Sequence, residues 1–239
     1  MMKRYLPIMF LIICLSVSCH SKGNHLILGD GGEKTHDAKL QNISKDNGIQ
    51  ANREKELLLQ MKIPNQNPLS ISVDKIPIIN SYLEPFKDKK SELNRMRINY
   101  LFTNNQKEYI LLNYSCGTKL CNQLLLEHKD GEWQSLQISE SSFLQFSKQN
   151  GEIAAFLFGR NEGSEVLRNQ VVIVNLKKFE EIPPPENLKI LSSFEYPISM
   201  IEWNDDTLIA KVANIDDTSF TNVKEWNKKT FKQLEWKVY

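Results

Sequence analysis

Cys14, Cys19, Cys116 and Cys121 are the residues of this chain best suited to covalent chemistry. Cys116 and Cys121 bracket Gly117-Thr118-Lys119-Leu120, close enough in sequence to pair with each other. In an exported chain the first reading of such a pair is a structural disulfide, because oxidising compartments form the bond and keep it. A redox pair would favour Cys-x-x-Cys with a lowered thiol pKa. Zinc would need further ligands, and only His128 is near in sequence. Cys14 lies inside an apolar N-terminal run, so Cys19 is left alone, and a lone cysteine in a secreted chain asks for a role of its own.

The other reactive types form no recognised pattern. There is no Gly-x-Ser-x-Gly and no His-Glu-x-x-His. His128 is the only histidine beyond residue 55, and it stands beside Glu127 in a strand pattern, so a Ser-His-Asp triad would have to use it. Gly163-Ser164 falls in a polar stretch that reads as a strand connection. Asp205-Asp206 and Asp216-Asp217 offer oxygens to calcium, yet acid pairs at turns are first of all turn residues. Trp133, Trp203, Trp226 and Trp236 suggest either a sugar-stacking surface or strand packing, and strand positions favour packing. His20, His25 and His36 lie near Asp30, Glu33 and Asp37 at spacings that match no metal motif. No catalytic residue, metal ligand or cofactor is assigned.

The N-terminus carries an address. Lys3 and Arg4 precede an apolar run from Leu6 to Val17, then Ser16-Val17-Ser18-Cys19 and a polar stretch. Positive, apolar, small-x-small is the order of a secretory signal peptide. The run is shorter than the roughly 20 residues a membrane-spanning helix needs. The segment resembles the lipobox of bacterial lipoproteins, with Ser16 where leucine is typical and Leu15 one place earlier. The resemblance implies that Cys19 is lipidated, palmitate among its acyl chains, and becomes the mature first residue. Ordinary cleavage after Ser18 is the alternative. His20 after the cysteine, rather than Asp, favours the outer membrane under the sorting rule that comes with the resemblance, if the cell has two membranes.

Removing residues 1–18 takes away Lys3 and Arg4 and no acid, which turns the formal charge of +1 into −1. A near-neutral chain makes no electrostatic case for nucleic acid. Residues 19–55 are polar apart from Leu26-Ile27-Leu28 and read as a flexible tether. Residues 56–239 read as one mainly β domain. Within it, residues 56–61 suit a short helix or strand, and Leu69–Val73 alternates as a strand. Ile76, Ile79, Leu83 and Phe86 recur at helical spacing, with Pro77 suited to the first turn.

From Arg97 onward, runs rich in β-branched, aromatic and leucine residues alternate with turn residues, and three similar units emerge. Each reads strand, tight turn, strand, longer loop, strand, tight turn, strand. Trp133–Ile138 closes the first unit, Phe143–Phe146 opens the second, and Val223–Trp226 is expected as a strand of the third. Asn122-Gln123 and Asn169-Gln170 lie 47 residues apart, a period similar to that of β-propeller blades. Three units are too few for a closed propeller. The expectation is therefore antiparallel four-stranded meanders repeated about three times, propeller-like or as an open or sandwiched sheet, with a short N-terminal helical segment. The functional expectation is a lipid-anchored, non-catalytic binding or accessory protein of the cell envelope, with an envelope protein as partner. The alternative is an anchored hydrolase whose residues converge only in the fold.

Overall fold

Short apolar runs bounded by tight turns dictate most of the architecture. It is known from a computed structural model, which describes residues 56–61, 68–226 and 230–238. Among these residues the fold is mainly β, in antiparallel sheets of two, seven and three strands with few helices, and no sheet closes into a barrel or propeller. The proposed signal peptide, Cys19 and the tether lie outside the described residues.

The chain opens with β1 (Leu58–Met61) and β2 (Leu69–Ser72), an antiparallel pair. A 3-10 turn follows, then α1 (Pro77–Leu83), with proline in the first turn, where its missing N–H costs nothing. Residues 87–92, a polar run in sequence, give α2 (Lys89–Arg95), because the Asp88 side chain caps it by accepting from Ser91 N–H at 2.9 Å.

The seven-stranded sheet follows: β3 (Arg97–Asn104), β4 (Lys107–Tyr114), β5 (Cys121–Lys129), β6 (Glu132–Gln149), β7 (Ile153–Glu162), β8 (Val166–Asn175) and β9 (Glu180–Ile182), paired in that order. The two strands expected at Trp133–Ile138 and Phe143–Phe146 are one strand, β6, 18 residues long. Residues 132–141 of β6 pair with β5, and residues 142–149 pair with β7. Register shifts on either side of this change, between Gln123 and Leu124 in one pairing and between Phe143 and Gln145 in the other, bend the strand out of one meander into the next. The sheet is thus a first meander (β3, β4, β5 and the start of β6) and a second (the end of β6, β7, β8 and β9).

A 3-10 segment, Glu186–Ser192, leads to the third sheet: β10 (Ile198–Asn204), β11 (Thr207–Ala213), α3 (Phe220–Glu225) and β12 (Phe231–Lys237), with strand order β10-β11-β12. The strand expected at Val223–Trp226 is therefore a correction: most of it belongs to α3. Ser219 caps that helix by accepting from Asn222 N–H at 3.3 Å, and only Val223 among its residues is buried. Local capping outweighs β propensity where there is one apolar anchor and no neighbouring strand to pair with. Hairpin turns follow their chemistry. Asp130 and Gly131, both at positive φ, join β5 to β6, as a type I′ hairpin requires.

Strand alternation sends successive side chains to opposite faces, and three cores result. Ile110, Leu112 and Leu124 of the first meander pack under Ile71, Ile79 and Leu83 of the N-terminal layer. The opposite face, with Tyr109, Leu111 and Leu125, meets Phe156, Phe158 and Val172 of the second meander. The far face of the second, with Leu157, Val171 and Ile173, meets Ile201, Leu208 and Trp236 of the third sheet. The outer face of the third sheet carries exposed Glu202, Lys211, Gln233 and Glu235, so the series ends in water there. Each fully buried leucine or phenylalanine contributes about 1.5–3 kcal/mol of burial free energy.

Candidate functional site

The cysteine pair comes first, because covalent chemistry was expected of it. Cys116 and Cys121 form a disulfide in the loop between β4 and β5. Closing so short a loop contributes about 2 kcal/mol in the chain-entropy estimate. The loop is also tied to α2. Arg95 Nη2 donates to Cys116 O at 3.1 Å and Arg95 Nη1 to Glu92 Oε2 at 2.8 Å, while the Tyr82 hydroxyl also donates to Glu92. Burial, reinforced by Glu92, holds the Tyr82 phenol above the usual tyrosine range. These contacts are structural: every charged group in the cluster has a partner.

His128 lies on β5 in one cross-strand row with Glu108 and Trp133. Its Nδ1 is 2.7 Å from Glu108 Oε2, and its ring stacks on Trp133 with centroids 4.3 Å apart. No serine joins this row. One residue along, Glu127 is buried, and its Oε2 accepts from Lys107 Nζ at 2.9 Å and from the Tyr109 hydroxyl at 2.7 Å. Burial first, and the bond to Glu127 second, push the Tyr109 phenol well above its ordinary range. The three groups satisfy one another inside the first meander.

The remaining candidates are dispersed. Gly163 sits at positive φ in the turn between β7 and β8. Asp205 and Asp206 form the β10–β11 turn, where Asp206 accepts from the Thr207 hydroxyl at 3.0 Å. Asp217 accepts from Ser219 N–H at 2.8 Å, and bonds from Ser219 hold its carboxyl below the usual aspartate range. Trp203 and Trp236 flank Leu208 in one cross-strand row on the inner face of the third sheet, where Trp236 is buried and Trp203 Nε1 donates to Ser147 O at 3.2 Å, while Trp133 packs on the first core, so the tryptophans form no common exposed surface. Among the described residues no group of three or more His, Cys, Asp or Glu side chains is placed to hold a metal. The histidines and acids of residues 20–37 lie outside the described residues.

Sequence reasoning missed a groove between the second meander and the third sheet. Its origin is local. The start strands of the two sheets, β10 and the end of β6, run side by side and are joined by side chains at a constant offset of 56 residues. The Gln145 amide donates to Ile201 O at 3.1 Å and accepts from Ile201 N–H at 3.4 Å, Trp203 donates to Ser147 O, and the Gln149 amide donates to Asp205 O. Immediately before this ladder each strand has a bulge, at Leu144 in β6 and at Ser199 in β10. There the strands part and a cavity of about 700 Å³ opens.

Leu157, Ile198 and Asn169 form its buried base. Asn169 Nδ2 donates to Phe158 O at 3.2 Å and Oδ1 accepts from Ile198 N–H at 2.8 Å, so the base is fixed and internally satisfied. Leu144, Leu167 and Phe231 stand on the walls, each 39–44% exposed. Gly159 makes room for two of them: a Cβ there would lie 2.8 Å from Leu167 Cδ1 and 2.9 Å from Leu144 Cδ1. Trp226 packs edge-on against Phe231 at 5.1 Å, and the rim carries the Glu165–Lys224 ion pair at 2.8 Å. A larger cavity of about 890 Å³ runs along β1, but it holds one exposed large apolar side chain, Leu58, against three in the groove.

A concave surface with an apolar lining and a few fixed polar groups is suited to binding. No sequence signal could have located it, because the bulge that turns Leu144 into a wall is set by the register between β6 and β7. No known protein family, curated protein or solved structure matches the chain.

Proposed function

We propose that this chain is a lipid-anchored extracytoplasmic protein, held to a bacterial membrane through Cys19, whose β domain binds a cell-envelope partner without catalysing a reaction. The observation that carries the binding half is the groove: Leu144, Leu167 and Phe231 are left in water around a rigid base, which a chain gains nothing from unless something covers them. The polar groups at its base, Asn169 and Gln145, are already bonded to backbone, so they shape the groove and hold no proton ready for transfer. The anchor half rests on the order of residues 3–19 and on the cysteine count: with Cys116 and Cys121 joined, removal of a signal peptide carrying Cys14 would leave Cys19 with no cysteine to pair with.

In the same reading the domain is an open array of repeated meanders. Supporting it, each start strand carries a bulge, at Leu101, Leu144 and Ser199. Successive hairpin turns are linked by the Asn104 side chain to Gly151 O and the Gln149 side chain to Asp205 O. Buried Gln123 and Asn169, 46 residues apart, each bond the backbone where the chain enters the next meander or sheet, at Ser141 and Ile198.

The test is the intact mass of the protein from its membrane fraction, compared with Cys19→Ala. The expected result is a chain beginning at Cys19 with added acyl mass, both the mass and membrane retention being lost in the variant. A soluble, unacylated mature chain would sink the anchor.

A further inference from the structure

We propose that the outer edge of β12 takes up an extended segment of a partner protein as a fourth strand of the third sheet, with an apolar side chain of that segment seated in the groove beside Trp226 and Phe231. The inference rests on the binding reading above and names its occupant.

The first and second meanders each have four strands, and the third sheet has three, with β12 at its end. The β11–β12 register is unbroken from Thr207↔Lys237 to Ala213↔Phe231. Just beyond its two ends, Val238 N–H donates to Asp206 O at 3.0 Å and Asn214 N–H to Thr230 O at 3.1 Å. In an antiparallel ladder, bonded and non-bonded pairs alternate. The even-numbered residues of β12 therefore direct their backbone groups to β11, and Phe231, Gln233 and Glu235 direct theirs outward. Among the described residues no backbone bond uses those outward groups. Such a row is a template for an added strand. The other open edges differ: β1, β2 and β9 have three or four residues, β3 is interrupted by a bulge at Leu101, and β10 is bonded along its edge by the Gln145 amide.

The groove begins where β12 begins, since Phe231 belongs to both. It selects a short segment over a folded partner or a second copy. A stable interface between folded surfaces buries about 800 Å² on each side, far more than three partly exposed side chains offer. Strand addition supplies main-chain hydrogen bonds in place of area, and one seated side chain fixes the register. Charge narrows the chemistry. The rim pair Glu165–Lys224 is neutral as a unit, so the part entering the groove is uncharged. Exposed Glu235 sits mid-edge, and a lysine or arginine opposite it completes a cross-strand pair.

The experiment places a photo-crosslinking phenylalanine analogue at Gln233 of the full chain in its own cells and maps the joined segment by mass spectrometry. That segment, synthesised, is titrated into the ¹⁵N-labelled Cys19→Ala chain while amide exchange is followed. The expected result is that the amides of Phe231, Gln233 and Glu235 exchange ~100-fold more slowly at saturation. Methylating alternate peptide nitrogens on the edge facing β12 abolishes binding, and methylating those on the other edge leaves it intact. Binding without protection of those three amides overturns the proposal, as does equal binding by both methylated series. A cross-link to a second copy, to residues 20–55 of the same chain, or to nothing also overturns it. The anchor is read separately, by the mass at Cys19. The groove is read by loss of partner binding in Leu144→Asp. Failure of strand addition is therefore distinct from failure of either.

Discussion

The chain passes twice between layers, from the first meander to the second and from the second to the third sheet, and the two junctions differ. The first is made by a single strand: β6 leaves the first meander and enters the second without interruption. Its interior is aromatic, with Phe102 stacked on Tyr109 at 4.8 Å and Phe156 on Phe158 at 6.2 Å. Its far end is sealed by buried polar groups: Ser139 and Ser141 bond at 2.6 Å, Ser139 donates to Gln170 Oε1 at 2.9 Å, and Gln123 donates to Ser141 O at 2.7 Å. The second junction is made by a broken path through the 3-10 segment before β10. Its interior is largely aliphatic, and its start strands are held by side-chain amides. Where that ladder stops, the groove opens. A continuous strand holds two meanders together along its length, whereas a loop lets two layers part at one end.

The strongest way to break the comparison is to cut into each junction. Phe156→Ala, fully buried in the first, should destabilise the domain by about 3–5 kcal/mol in urea denaturation. Leu144→Ala on the groove wall should change stability by less than about 0.5 kcal/mol while weakening partner binding. Equal costs would mean that the groove is part of the core.

A smaller effect is expected from Tyr109→Phe. It deprives buried Glu127 of one of its two partners and should cost about 1–3 kcal/mol, read from the denaturation midpoint. Gln145→Ala removes both bonds to Ile201 and should cost ~1 kcal/mol. It should also raise amide exchange in β10 and leave β3 and β4 unchanged. Uniform loosening of both junctions would contradict their independence.

The smallest effect concerns pH. The Asp217 carboxyl is held below 3.8 by bonds from Ser219, so its stabilising contribution is present above that value and is lost as pH falls through its folded pKa. Asp217→Asn should therefore be less stable than the parent at neutral pH and indistinguishable from it at strongly acid pH, with exchange at the start of α3 as the sensitive readout.

Much of this was legible in the residues. Asp130-Gly131 and the continuous apolar runs of β4, β5, β7 and β8 announce turns and strands, because positive φ and short apolar runs bounded by turn residues are local properties. The pairing of Cys116 with Cys121 follows from their nearness. The helix at Phe220–Glu225 was hidden because Val223 and Trp226 look like strand residues, and only Ser219 and Asp217 signal the cap. The groove was hidden because Leu144 and Leu167 differ in no sequence property from core leucines. What makes them walls is a bulge and the glycine beneath them.

By itself, then, the sequence determined a mainly β domain, its hairpins and its disulfide, since each depends on neighbours along the chain. Only the tertiary structure decided that β6 serves two meanders, that the second junction opens, and that Phe231, Gln233 and Glu235 turn their backbone groups outward. Those outcomes depend on register between distant strands, and a shift of one residue would exchange every face.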